Sequence, residues 1–149
     1  MTTIKTSGKT VGNFTIEIEG LTELRDRMAR LGINLFNEIN FKIMQEGNFI
    51  LEEVLESVAG NRVEPKSVDT GTFIKSIKFT MPEQMIGKIY VENNSYPNGT
   101  TTTEVAKFLE YGTSKNPIPR LHFNHTLDRN KDKINKDLKI SVNNVVKNF

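Results

Sequence analysis

The sequence predicts an α+β domain in which a small antiparallel sheet, an N-terminal strand plus a β-hairpin, packs with a long helix and a C-terminal helix. Three observations carry this. Apolar and polar residues alternate over 14–19 and again over 77–81 and 86–91. Apolar residues recur at helical spacing from Phe36 to Val58 and from Leu121 to Val142. The 149 residues, 36% hydrophobic and 26% charged, suit one domain, 1–149, without internal repeats.

Residues 1–12 form a Thr/Lys/Gly stretch without periodicity and read as a loose N-terminal arm. Phe14, Ile16 and Ile18 then share one face of a strand, opposite Thr15, Glu17 and Glu19, and Gly20 ends it. Leu21, Leu24, Met28 and Leu31 form the stripe of a first helix stopped by Gly32. A second helix, 34–59, carries Phe36, Ile39, Ile43, Ile50, Val54 and Val58 and closes at Gly60. It would be about 40 Å long, more than a small core needs, so it is expected to touch a neighbouring subunit too. Gly47 marks a kink in its middle.

A polar loop with Pro65 leads to Asp69 or Thr70, the expected cap of one helical turn that turns Phe73 and Ile74 inward. The hairpin follows, with residues 82–84 as its turn. Residues 93–103, rich in Asn, Ser, Gly, Pro and Thr, read as an extended loop, mobile or in contact with a partner. A short helix over 104–111 turns Val105, Phe108, Leu109 and Tyr111 to the core and ends at Gly112. Asn116-Pro117-Ile118-Pro119 is extended because each proline disfavours helix before it. The closing helix, 121–147, has a modest stripe of Leu121, Leu127, Ile134, Leu138 and Val142.

Composition narrows the chemistry. Without cysteine there are no disulfides, thiolate metal sites or cysteine nucleophiles. No apolar run approaches the roughly 20 residues of a membrane span, and the N-terminus lacks a secretory apolar stretch, so synthesis and assembly in the cytosol and no membrane partner are expected. The net charge of +2 hides an asymmetry: from Lys115 onward eight Lys or Arg face three Asp or Glu, which leaves −3 for the rest. Such asymmetry suits a subunit that meets neighbours through opposite faces, or one with a basic arm, and an exposed basic helix is the plain alternative.

The two histidines, His122 and His125, with Asp128 three residues on, are the one pattern that suggests a metal, and a polar helix start is the preferred reading. Gly8 and Gly12 lack phosphate-loop spacing. Asp69-Thr70-Gly71 is a single copy of a triplet whose protease chemistry needs two carboxylates. Glu52, Glu53 and Glu56 read as a solvated helix face. No cofactor, metal or catalytic residue is expected, and no helix-turn-helix pattern or basic–aromatic interleaving suggests a nucleic-acid-binding regulator.

Two segments in order carry a family likeness: Val68-Asp69-Thr70-Gly71-Thr72-Phe73-Ile74-Lys75-Ser76-Ile77 before the hairpin, and Val105-Ala106-Lys107-Phe108-Leu109-Glu110-Tyr111-Gly112-Thr113-Ser114 after it. Together they resemble the HK97 gp10-like family of tailed-phage morphogenesis proteins, tail components or head–tail neck proteins. In that family an Asp/Thr-Gly-x-Leu-x-x-Ser-Ile stretch precedes the hairpin, and an Ala-x-x-Val-Glu-Phe-Gly-Thr stretch, a proline-rich Pro-Phe-Leu segment and a closing helix follow it. Phe73 stands here for the usual Leu, Leu109-Glu110-Tyr111-Gly112-Thr113 for Val-Glu-Phe-Gly-Thr, and Pro119-Arg120-Leu121 departs by its arginine.

The resemblance implies a structural virion protein, a hexameric or dodecameric ring at the head–tail junction joining head-completion or connector proteins to tail-terminator or tail-tube proteins around a DNA channel. Capping of the tail tube is the alternative within that class, and a small metal-dependent enzyme is the rival outside it. Asp69, Thr70, Gly71, Phe73, Ser76, Ile77, Phe108, Glu110, Tyr111, Gly112, Thr113 and Pro119 would then shape the subunit or touch the next one. Glu110 is expected to pair with a neighbour's basic C-terminal helix, and Lys131, Lys133 and Lys136 to face DNA phosphates without sequence readout.

Overall fold

The computed structural model describes residues 3–7, 15–19, 32–67 and 71–148. Its elements are β1 (Thr3–Ser7), β2 (Thr15–Glu19), α1 (Ile33–Ala59), α2 (Thr72–Ser76), β3 (Ile77–Glu83), β4 (Ile86–Val91), α3 (Thr102–Tyr111) and α4 (His122–Lys147). This is the α+β architecture the sequence predicts. The helix expected over 21–31 and the residues Phe14, Asp69 and Thr70 lie outside the described residues.

The four strands form one antiparallel sheet in the order β1-β2-β4-β3. Thr3 pairs with Glu19, Thr15 with Tyr90, and Ile77 with Val91. The sheet is one strand wider than expected, because part of the N-terminal arm pairs with β2 instead of lying loose. Its sequence, Thr-Ile-Lys-Thr-Ser, has no alternation, but three β-branched residues favour extended backbone and the ladder supplies the rest. β3 runs on through Pro82 to Glu83, with a register shift between Thr80 and Glu83. A proline is tolerated there because β3 is an edge strand.

The hairpin turn contracts to Gln84 and Met85. Met85 takes φ 65, unusual for a side-chain-bearing residue, and is held there by burial of its side chain and by Asn40, whose Oδ1 accepts from the Met85 amide at 2.7 Å.

Leu35, Ile39, Ile43, Ile50, Val54 and Val58 of α1 are fully buried against Ile77, Ile89 and Val91 of the sheet and Phe123, Leu127, Ile134 and Leu138 of α4. Leu35, not Phe36, begins the buried stripe. At roughly 1.5–3 kcal/mol for each such side chain, this seam dominates the favourable side of folding. The seam also contains two polar residues: Glu46 and Ser57 occupy stripe positions, and each meets a partner from α4. Because Ser57 meets His122 and Glu46 meets Lys133, α1 and α4 run antiparallel.

Gly47 leaves α1 continuous, and its place has another cause. A methyl group there would lie 2.1 Å from Cε2 of Phe79, so the glycine lets the aromatic ring of β3 lie against the helix backbone.

Candidate functional site

Among the described residues a dense polar cluster lies where α1 ends and α4 begins. After Gly60 closes α1, residues 61–67 fold back along it, and the Ser67 amide donates to the Val58 carbonyl at 2.8 Å. This return sets Glu64 and Ser67 over the first turns of α4. His122, fully buried, lies between two hydroxyls: Ser57 Oγ is 2.8 Å from its Nδ1 and Ser67 Oγ 2.6 Å from its Nε2. Ser57 Oγ also donates to Glu64 Oε2 at 2.8 Å. The other oxygen of Glu64 holds the Arg129 guanidinium and lies 3.2 Å from His125 Nδ1. Arg120 donates to Ser67 Oγ and to the Lys66 carbonyl, each at 2.8 Å.

These contacts assign the protons. Burial pushes the Glu64 carboxyl up, but the Arg129 and Ser57 hydrogen bonds and its own backbone outweigh that and hold it at about 2. An ionised carboxylate only accepts, so the one Ser57 hydrogen points to Glu64 and Ser57 must accept from His122 Nδ1–H. Nε2 is then bare and accepts from Ser67. Burial lowers the His122 pKa to about 4, outweighing the attraction of Glu64, so the ring is neutral at pH 7. The relay runs in one direction, from Arg120 through Ser67, His122 and Ser57 to Glu64.

A second buried carboxylate lies beside it. Glu110, fully buried, accepts from the amides of Phe123 at 3.2 Å and Asn124 at 2.8 Å and from Asn124 Nδ2 at 2.6 Å. The cap position of α4 is held by Leu121 at φ 53, whose side chain has no acceptor, so Glu110 of α3 satisfies the first amides of α4 from outside that helix. Burial raises its pKa while these three donors oppose the rise. The pairing expected with a neighbouring subunit is replaced by this contact within the chain.

The other predicted residues divide. Phe73, Ser76 and Ile77 are buried: the Ser76 hydroxyl donates to the Phe73 carbonyl at 2.6 Å and the Ser76 carbonyl takes the Glu92 amide at 2.8 Å. Gly71 sits at the start of α2 with φ 81. Gly112 has φ 77, and a methyl group there would lie 2.8 Å from the Pro117 carbonyl oxygen, so a glycine is required. Thr113 Oγ1 accepts from the Asn116 amide at 2.9 Å, closing a turn after α3. Pro119 is exposed.

Phe108 and Tyr111, expected in the core, are 49% and 57% exposed. The buried residues of α3 are Thr102, Thr103, Ala106 and Glu110, and the stripe of Thr102, Ala106 and Glu110 four residues apart is one that hydrophobicity alone hides.

Residues 93–103 also differ from expectation. They form a small hairpin with a Ser95–Thr101 bridge and a Tyr96 amide to Thr100 carbonyl bond of 2.8 Å, and α3 already begins at Thr102. Thr101 and Glu104 form a capping box there, with the Thr101 amide donating to Glu104 Oε2 at 2.8 Å. The Thr-x-x-Glu spacing was the available signal.

All three lysines, Lys131, Lys133 and Lys136, are exposed. Lys133 also bonds Glu46 at 3.0 Å and Asp137 at 2.9 Å and lies 4.3 Å over the Phe49 ring. Glu53 pairs with Arg62 and Glu56 accepts from Asn61, so that face is partly tied to the following loop. His122, His125 and Asp128 diverge, the first inward, the second to Glu64 and the third to solvent. Among the described residues no three His, Asp or Glu converge on a metal position, and no helix is long and apolar enough to cross a membrane.

No family model, curated protein or solved structure matches this chain. The phage likeness therefore stands on the motif residues themselves.

Proposed function

We propose that this chain is a structural virion protein that assembles into a ring at the head–tail junction of a long-tailed phage, linking head-completion proteins to the tail around a DNA channel. The observation that carries the reading is the ordered pair of segments, Gly71 to Ile77 before the hairpin and Leu109 to Thr113 after it. The geometry gives these residues a common task in shaping the subunit. Phe73, Ser76 and Ile77 seat the hairpin, Glu110 starts the closing helix, and Gly112 lets the chain turn into the proline strap.

Surface apolarity supports an assembling subunit. Val63, Tyr111 and Ile118 are exposed near the end where α1 finishes and α4 starts, while Phe41, Ile140 and Val146 are exposed towards the other. Two dissimilar apolar regions at opposite ends suit head-to-tail contacts, which close into rings when the rotation permits. Lys131, Lys133 and Lys136, all exposed on α4, are the candidates for contact with DNA phosphate.

The test is location. Phage particles are separated into filled heads, free tails and intact virions, and the protein is sought in each by mass spectrometry and antibody labelling. Labelling at the collar supports the neck ring, labelling confined to the tip of free tails transfers the chain to the tail-terminator role, and absence from particles overturns both. Ile118→Asp with Phe108→Asp should block ring formation and leave the melting temperature unchanged.

A further inference from the structure

The assembly reading leaves one arrangement unused: a serine hydroxyl hydrogen-bonded to a neutral histidine whose other nitrogen is held by a second buried group. That is the geometry that activates hydroxyl nucleophiles, with nucleophile and base about 2.6–3.2 Å apart and the base oriented by a third partner. Sequence order conceals it, because Ser57, Glu64, Ser67 and His122 are scattered over 65 residues and meet only in the fold.

We propose that Ser67 is a reactive nucleophile, activated by His122 and oriented through Ser57 and Glu64, that takes up an acyl group from small activated esters. Its Oγ is 2.6 Å from His122 Nε2 and 3.2 Å from the Pro65 carbonyl. A hydroxyl has one hydrogen, and the shorter contact takes it. Arg120 Nη1 donates to the same oxygen at 2.8 Å, so Ser67 accepts from Arg120 while its own hydrogen points to His122. Ser67 is only half-buried, so a small reagent reaches it, whereas His122 behind it is sealed from water.

In the step, Oγ bonds to the ester carbonyl carbon as its proton passes to Nε2. The carbon–oxygen bond to the leaving alcohol then breaks, and the alcohol departs with the proton from Nε2. The product is an acyl-serine and a free alcohol. The Ser67 amide, which in many such sites binds the oxyanion, is already donated to the Val58 carbonyl. Arg120 is left as the cationic donor at Ser67 Oγ among the described residues. Acylation is therefore stoichiometric and hydrolysis of the acyl group slow, which makes Ser67 a site of covalent modification and is compatible with a protein that is no enzyme.

The test treats the full chain with a fluorophosphonate probe and with p-nitrophenyl acetate. One phosphonyl group per chain is expected, mapped to Ser67, at a rate about 100-fold above that of the same chain in urea, the scale of general-base assistance. The acetate reaction should show a burst of one nitrophenolate per chain with little turnover. Ser67→Ala should abolish both, and Ser57→Ala, a positioning change, should slow labelling about tenfold or more.

The wild-type rate should be flat from pH 8 to 6 and fall as His122 takes a proton near pH 4, with Glu64, held at about 2, still ionised there, and with Arg120, Arg129 and His125 as the other charged groups around the pair. Labelling absent from the folded protein, spread over other serines, or unchanged in Ser57→Ala would overturn the proposal. The reading of the chain as a ring subunit would survive any of these results.

Discussion

Replacing Gly47 with alanine sets two effects of opposite sign against each other. In a helix interior alanine is better than glycine by about 1 kcal/mol, so on propensity alone Gly47→Ala would stabilise α1. The fold predicts otherwise. The new methyl group would lie 2.1 Å from Phe79 Cε2 and 2.2 Å from Cζ, against the roughly 3.5–4.0 Å of ordinary carbon contact. The ring has little room to retreat across the sheet, since a methyl on Gly87 of β4 would also lie 3.0 Å from Cε2. Overpacking of this kind costs about 1–3 kcal/mol after relaxation, which against the roughly 1 kcal/mol of propensity leaves a net loss of up to about 2 kcal/mol. At about 2–4 °C per kcal/mol for a chain of this size, the melting temperature falls by up to about 8 °C.

The decisive assay is a double-mutant cycle by urea unfolding, with Phe79→Ala as the second substitution. Once the ring is gone, Gly47→Ala should reverse sign and stabilise by about 0.5–1 kcal/mol, a coupling of about 2 kcal/mol. A Gly47→Ala protein more stable than wild type, or an unchanged effect in the Phe79→Ala background, would refute the close-packing explanation.

Stability should fall with acid mainly through His122. Its folded pKa is about 4 and its ordinary value 6.5, so the unfolded chain binds the extra proton first. The loss begins near pH 6.5 and is complete near pH 4, up to about 3 kcal/mol for 2.5 units. Glu64, held at about 2, extends it below pH 4.5, while Glu110, raised by burial, works in the opposite sense. Urea midpoints at pH 7 and pH 4.5 measure this, and a flat profile would count against a buried neutral imidazole. Glu110→Ala should cost about 3 kcal/mol, because two backbone amides and one side-chain amide lose their acceptor at the buried start of α4. Faster hydrogen exchange at Phe123 and Asn124 would locate the damage there, and a cost under 1 kcal/mol would refute the capping role. Thr101→Ala should cost about 1 kcal/mol by removing the capping box of α3, seen as an equal drop in the urea-derived stability.

The periodic elements were legible for a simple reason: burying one face of a helix or strand leaves a 3.6- or 2-residue mark that survives without neighbours. That is why α1, the hairpin and α4 stand where their patterns put them. The pattern misled on α3, where Phe108 and Tyr111 face out and Thr102, Ala106 and Glu110 face in. The buried face there is selected by hydrogen bonds to Glu92, Asn94 and the start of α4, partners 8–14 residues away that no local periodicity encodes. Glu46 and Ser57 were invisible in the same way, each filling an apolar-looking stripe position because α4 brings Lys133 and His122 to meet it.

His122 and His125 show the limit most directly. Three residues apart on one helix, they look like neighbours with a shared purpose, yet one is sealed between two serines and the other lies outside against Glu64.

The sequence by itself determined the α+β class, the order of elements from the long helix to the closing helix, the positions of those two helices and the absence of cysteine chemistry, because each follows from local preference or from composition. Only the tertiary structure decided that the N-terminal arm becomes a strand, that Gly47 serves Phe79, that Glu110 caps a helix of its own chain, and that Ser67, His122, Ser57 and Glu64 join in one relay. Those outcomes depend on which distant groups share a low-dielectric interior, where an unpaired donor or charge costs more than any local preference contributes.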